Sequence, residues 1–292
     1  MAWFQTLMPT TGLHAKYQMC GCGSRIHKKY FLLAVSVFLF TACASAPVTV
    51  TPTRSLPTAT ATSQPTSTPT PTLWVTPTPP AVVITSGDWV EPYVALTFDM
   101  CQDPQYPAGY DAAIVEVLQR YDVPATFFMG GDWMRTHPYE TRLLASNPNF
   151  ELGNHSWSHA DFTTLTAGEM AQELEDTEDM LFQLTGKHSN LFRPPSGTFN
   201  DLSLQVIAQH GLYTVLWDSV SGDPDPKFDS ATILAEIQRT VRKGSIIIMH
   251  ANGRGWHTAE ALPSVIEYVQ NKGFVLVTVS QLIGLESKPA DK

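Results

Sequence analysis

The chain has 292 residues, 43% of them apolar and 15% charged, with a formal net charge of −9. Residues 1–88 hold five of the 18 basic groups and one of the 27 acidic groups, leaving 13 basic against 26 acidic groups in the rest. A body that acidic excludes nucleic acid and anionic lipid headgroups as main partners, and about two hundred residues suffice for a core of its own.

Arg25, Lys28 and Lys29 precede the apolar run Tyr30 to Phe40, which ends at Phe40-Thr41-Ala42-Cys43. A basic flank, a short apolar core and small residues before a break describe a secretory signal. The run is too short to serve comfortably as a membrane-spanning helix. A cysteine directly after the small residues resembles a lipoprotein processing site, so residues 1–43 are read as a signal segment with Cys43 as the lipid-carrying N-terminus. Ordinary secretion, with Cys43 incidental, is the alternative. Met19 would give a more normal signal length than Met1. Signal removal would discard Cys20 and Cys22 and lipidation would occupy Cys43. Cys101 would then be alone, and no intramolecular disulfide is expected.

Residues 44–88 form a tether dominated by Pro, Thr and Ser as far as Ile84. Such a segment cannot bury enough apolar surface to offset its ordering entropy. At about 3.1 Å per residue it would extend on the order of 100 Å, enough for an anchored protein to reach into a surrounding glycan layer.

The folded region is read as 89–286, with a tail at 287–292. Short apolar runs at Tyr93–Phe98, Ala125–Met129, Phe150–Gly153, Asn190–Phe192, Tyr213–Trp217, Ser245–Met249 and Phe274–Val279 read as buried strands. Helical patterns fall between them at Gly109–Tyr121, Trp133–Ser146, Thr166–Leu184, Asp201–Gln209, Ala231–Val241 and Ala259–Asn271. Thr166 and Glu169 form a capping box, Gly186 is placed to end that helix, and Thr258 is placed to cap the last long one. Strand–helix alternation predicts a parallel α/β architecture. Asp99, His155, Arg193, Trp217 and His250 all fall at strand C-termini, which favours a β/α barrel with its site at that mouth.

The most informative stretch is His155-Ser-Trp-Ser-His159. Two imidazoles at this spacing share a face if the segment is helical or enters a helix, so both can reach one metal ion. Four further segments end apolar runs with polar residues suited to hydrolysis: Thr97-Phe98-Asp99, Arg193-Pro194-Pro195-Ser196-Gly197, Trp217 to Asp223, and Ile248-Met249-His250. In order and spacing these five motifs resemble those of the NodB-homology polysaccharide deacetylases, from about Val90 to about Leu285. That family removes N-acetyl groups from chitin-like sugars, peptidoglycan and related glycans. The resemblance implies an irregular, incomplete (β/α) barrel of about seven parallel strands. It implies a divalent metal, with zinc expected, held by His155 and His159. It further implies Asp99 as general base and His250 as general acid, with Arg193 positioning Asp99 and Asp223 orienting His250. Trp217 and Met249 would line the acetyl pocket, and the backbone N–H of Ser196 would share the oxyanion. Beside it, Ala251 to His257 reads as a loop at the same mouth, where Arg254 and Trp256 are candidates for gripping and stacking on a sugar.

One position departs from the family's Thr-Phe-Asp-Asp. Met100 stands where the third metal ligand is usual, and a thioether suits a borderline cation poorly. Three outcomes stay open: water in that place, a substitute among Cys101, Asp103 and His257, or a site that has lost metal and activity. If water fills it, Met100→Asp is expected to tighten metal binding. The expected function is therefore an exported, membrane-anchored, metal-dependent deacetylase of an extracellular glycan polymer, acting as a monomer. The alternatives are a catalytically silent carbohydrate-binding protein on the same fold and a C–N hydrolase of a non-sugar amide.

Overall fold

The computed structural model describes residues 78–102 and 108–289. The signal segment, Cys43, most of the tether and Asp103 lie outside the described residues. In chain order the elements are β1 (Val83–Ile84), β2 (Tyr93–Met100), α1 (Ala112–Arg120), β3 (Ala125–Met129), α2 (Gly131–Thr136), α3 (Pro138–Ser146), β4 (Phe150–Asn154) and α4 (Ala167–Thr185). There follow β5 (Leu191–Phe192), a 3₁₀ turn at Pro195–Gly197, α5 (Asp201–Gln209), β6 (Tyr213–Val215), β7 (Ser219–Val220) and α6 (Ser230–Thr240). The last elements are β8 (Ile246–His250), α7 (Thr258–Asn271), β9 (Val275–Val277) and α8 (Val279–Leu282). Among the described residues, no helix is long and apolar enough to cross a membrane.

All strand ladders are parallel, in the order β1-β6-β5-β4-β3-β2-β8-β7, with β9 beside the first half of β2. The edge strands β1 and β7 do not pair with each other, so the sheet curls into an open half-barrel. Among the described residues, one antiparallel bridge, Ser86 to Ser245, links the chain beyond β1 to the start of β8. The two strands beyond the expected seven are β1 and β7, each of two residues. β1 falls within the stretch read as tether, where Pro and Thr neighbours hide a short Val-Ile pair.

Side-chain alternation along β2 explains both faces of the sheet, since successive residues point to opposite sides. All eight of its residues are buried. Val94, Leu96, Phe98 and Met100 pack outward into the helix layer, with Ile114, Leu118, Leu262, Val265 and Val269 of α1 and α7. Tyr93 and Ala95 face inward, toward Phe128, Leu191, Val215, Ile246 and Val277. Thr97 and Asp99 continue that inner row toward the mouth.

Local signals set the helix ends. Thr166 and Glu169 make the expected capping box of α4, and Gly186 ends it in a left-handed conformation. The single helix expected over Trp133–Ser146 is two, α2 and α3. Pro138 supplies no N–H and forces His137 out of helical geometry, to φ −126° and ψ 53°.

Candidate active site

Asp99 ends the inner row of β2, 5% exposed, and its register partner on β8 is His250. Arg193 follows β5 and is fully buried, donating from Nη1 to Asp99 Oδ1 at 2.7 Å and from Nη2 to the Leu216 carbonyl at 3.3 Å. Its guanidinium lies 3.9 Å from the Phe128 ring centroid and 5.4 Å from that of Trp217, so planar packing fixes it. Burial pushes the Asp99 carboxyl up, but Arg193, His155 and His250 together hold it below the usual carboxylate range.

His155 leaves the end of β4, 1% exposed. Its Nδ1 lies 2.8 Å from the Arg193 carbonyl oxygen, which only accepts, so Nδ1 carries the proton and Nε2 presents a lone pair. Nε2 is buried, has no hydrogen-bond partner and sits 3.6 Å from Asp99 Oδ2. Burial outweighs the Asp99 charge and lowers the His155 pKa, which favours the neutral ligand form. His159 stands beside it, ring centroids 5.1 Å apart at 74°.

The two imidazoles do not converge on a helix face, as the sequence spacing suggests. They converge because Ser156 and His159 take left-handed backbone conformations, with φ 69° and 62°. With Ser196 (φ 56°), three of the four non-glycine residues with positive φ among the described residues sit at this mouth. Each such residue costs on the order of 1–3 kcal/mol and persists only where its surroundings enforce it. Here Glu173 of α4 supplies the enforcement. It accepts from Ser156 Oγ at 2.5 Å, Ser158 N at 2.8 Å and Ser158 Oγ at 2.7 Å, while Asn154 Oδ1 accepts from Ser156 N at 2.9 Å. Asp161 accepts from Thr198 Oγ1 at 2.9 Å, tying the histidine loop to the Ser196 turn.

Met100 is not available to this site. It continues β2 one residue past Asp99, so alternation turns it outward into the helix-layer core, fully buried. The expectation that Met100→Asp restores a ligand is therefore corrected: the new carboxylate would enter an apolar core. The chain reaches the mouth again at Cys101, 2% exposed. Ligand atoms of Cys101, His155 and His159 all lie within 4.8 Å of one another. His257 faces Glu260 instead, Nδ1 to Oε2 at 3.3 Å.

On the opposite side of the mouth, Asp223 Oδ1 accepts from His250 Nδ1 at 3.0 Å and Ser221 Oγ at 2.8 Å. Asp223 Oδ2 accepts from His250 N and Thr258 Oγ1, both at 2.7 Å. Burial lowers the His250 pKa, but Asp223 more than compensates, and the imidazole titrates above its ordinary value. Thr258 thus does not cap α7: His257 occupies the cap position without a side-chain bond, and Thr258 serves Asp223. Asp218, directly after Trp217, accepts from Ile246 N, Ser245 Oγ and Arg242 Nε and makes no hydrogen bond to His250.

A cavity of about 250 Å³ joins the two sides, lined by Asp99, His159, Ser196, Trp217, Asp223, Ile248, His250 and Arg254. Met249 is absent from it, which corrects its assignment to the acetyl pocket. Alternation along β8 sends Ile247 and Met249 into the helix-layer core and leaves Ile248 and His250 facing the mouth. Trp256 is 50% exposed on the loop after β8 and does not line the cavity. A wider groove of about 610 Å³ lies around Tyr93, Tyr121 and Val275, at the other strand ends, and contains none of these groups. Asn154, Glu173 and Ser221 escaped the sequence analysis, which gave Thr258 only the role of a helix cap. Only Ser221, two residues before Asp223, had a local signal.

The family model described as polysaccharide deacetylase matches residues 87–215. The chain is 30% identical over 203 residues to the uncharacterized protein YlxY of Bacillus subtilis (strain 168), covering 68% of this chain and 60% of that protein. It is 34% identical over 191 residues to the peptidoglycan-N-acetylmuramic acid deacetylase PdaC of the same organism, covering 65% of this chain and 38% of that protein. The solved PdaC structure superposes with a TM-score of 0.57 at 31% identity, covering 67% of this chain and 91% of that one. BA3943 of Bacillus anthracis, described as a CE4 family pseudoenzyme, superposes with a TM-score of 0.65 at 27% identity, covering 73% and 72%. On the PdaC match, together with the half-barrel and the histidine, carboxylate and arginine groups at its mouth, the chain belongs to the polysaccharide deacetylase family.

Proposed function

We propose that this protein is a metal-dependent hydrolase that removes N-acetyl groups from peptidoglycan or another N-acetylglucosamine-containing polymer outside the cytoplasm. The observation that carries this reading is the pairing of Asp99 and His250 across β2 and β8, each braced by a buried partner of opposite charge. Amide hydrolysis needs a base for the attacking water and an acid for the departing amine. Asp99, held ionised by Arg193, takes the water proton on its carboxylate. His250, held protonated by Asp223, delivers a proton from Nε2 to the sugar nitrogen. The backbone N–H of Ser196 donates to the developing oxyanion, and Trp217 with Ile248 encloses the acetyl methyl. Arg254 in the cavity wall, and Trp256 on the exposed loop after β8, engage the glycan.

The orphaned, buried Nε2 of His155, set beside His159, suits a divalent cation, with zinc expected from two imidazoles. Such a cation, when bound, acidifies a water and polarises a carbonyl.

The catalytic domain is proposed to start at β1, from Val83, rather than at residue 89, and to run to residue 286, preceded by the rest of the tether and followed by the tail of residues 287–292. Export and anchoring through Cys43 rest on the basic flank, apolar run and small-residue break. Action on peptidoglycan by the relative PdaC supports the same side of the membrane. A second reading, a silent glycan-binding protein, draws on the likeness to the pseudoenzyme BA3943.

Acetate release from N-acetylglucosamine oligomers and from peptidoglycan tests the choice. Wild type is expected to release acetate, with Asp99→Asn and His250→Ala each lowering the rate about 10²-fold or more. Near-normal release from both variants overturns the mechanism. Glycan binding without any release by the wild type supports the second reading.

A further inference from the structure

We propose that Cys101 is the third protein ligand of the metal site, so that the ion is held by one thiolate and two imidazoles. This rests on the metal-dependent reading above and gives it a donor set particular to this chain. Three independent features converge. First, the position one residue earlier is closed, because alternation along β2 buries Met100 in the helix layer. Second, the chain turns at the end of β2 so that Cys101 Sγ comes within 4.8 Å of the ligand nitrogens of both histidines. Third, the buried Nε2 of His155 has no hydrogen-bond partner while its Nδ1 is fixed on a backbone carbonyl, the orientation a ligating imidazole adopts.

The surroundings of the thiol fit the role. Asn252, 1% exposed, donates from Nδ2 to the Cys101 carbonyl at 2.8 Å and reaches Sγ at 3.4 Å. The first bond fixes the backbone that carries the thiol. The second places an N–H beside the sulfur, where it steadies a thiolate. Sulfur with two imidazole nitrogens is a donor set for zinc or cobalt rather than for magnesium, calcium or manganese. Binding releases the thiol proton to solvent, so uptake of the ion is accompanied by acidification of a weakly buffered solution. The substitution of sulfur for the usual carboxylate oxygen keeps one anionic ligand in the site and changes which cations it selects.

Cobalt(II) titration of the purified full-length chain, with Cys20, Cys22 and Cys43 changed to Ser so that Cys101 is its one thiol, tests the assignment without reference to turnover. This parent chain is expected to develop an intense near-ultraviolet thiolate-to-cobalt charge-transfer band that saturates at one ion per chain. Cys101→Ser should abolish the band and weaken cobalt binding by about tenfold or more, with circular dichroism confirming that the fold persists. Cys101→Asp, which restores an oxygen anion at the same place, should recover binding without the band. His155→Ala should lose both. Cobalt bound by the parent chain without the band, or a band that survives Cys101→Ser, overturns the thiolate ligand and leaves the metal-dependent reading standing. Failure of the parent chain to bind zinc or cobalt at all overturns both.

Discussion

Asp223→Asn removes one buried negative charge while keeping the side chain's volume. The fully buried carboxylate accepts four hydrogen bonds, from Ser221 Oγ, His250 Nδ1, His250 N and Thr258 Oγ1. An amide has one oxygen and one NH₂ group to put in their place. With the oxygen on the His250 backbone N–H, the NH₂ faces Ser221 and His250 Nδ1. The serine hydroxyl turns to accept, but the imidazole accepts only by giving up its Nδ1 proton, keeping the one on Nε2 and becoming neutral. With the amide reversed, two N–H donors meet at the His250 backbone, which is worse. The first arrangement is expected, at a cost of about 1–3 kcal/mol in stability. Burial, which lowers the His250 pKa, then acts without the Asp223 charge that raises it.

At pH 7 the variant's imidazole is neutral, and acetate release is expected to fall about 10²–10⁴-fold. The basic limb of the pH–rate profile should move to lower pH. The stability sign follows from the same shift. A raised native pKa contributes stability below the unfolded imidazole pKa, and that contribution is lost as pH rises through the native value. The variant's deficit should therefore be largest on the acid side of the imidazole titration and shrink toward alkaline pH. Near-wild-type turnover with an unmoved basic limb would refute the coupling of Asp223 to His250.

Two further outcomes are expected. Arg193→Met strands the buried Asp99 charge and should cost about 3–5 kcal/mol in urea unfolding at neutral pH. Because the Asp99 pKa is lowered in the native protein, wild-type stability should decline as pH falls through that native value, and the variant should lack this decline. A loss below about 1 kcal/mol would contradict the buried pair. Met249→Ala should destabilise by about 2–5 kcal/mol and leave KM unchanged, whereas Ile248→Ala should alter KM, since only Ile248 faces the cavity. A changed KM for Met249→Ala alone would reverse that assignment.

Much of the fold is legible in local sequence because its causes are local. The run Tyr93 to Phe98 is apolar on both faces, as a strand between a helix layer and a barrel interior must be. Thr166, Glu169 and Gly186 mark the ends of α4 by bonds that span three or four residues. Pro138 announces the break between α2 and α3 in the same local way, although the apolar pattern runs through it. β1 and β7 are too short for any period to register, and they exist because β6 and β8 present open edges to them.

The candidate residues Asp99, His155, Arg193, Trp217 and His250 were legible as types at strand ends, and parallel strands gather such ends at one mouth. Their partners were not. Glu173 and Thr258 act across 15 and 35 residues of chain, on Ser158 and Asp223, and no local pattern encodes that. The facing of Met100, Cys101 and Met249 depends on where β2 and β8 stop alternating. Neighbouring strands decide that through their hydrogen-bond register, and a one-residue difference sends a side chain to the opposite face. The sequence alone therefore determined the elements and the kinds of chemical group at the mouth. Only the tertiary structure decided that Met100 leaves the site and Cys101 enters it, because left-handed turns and strand register place atoms that spacing along the chain cannot.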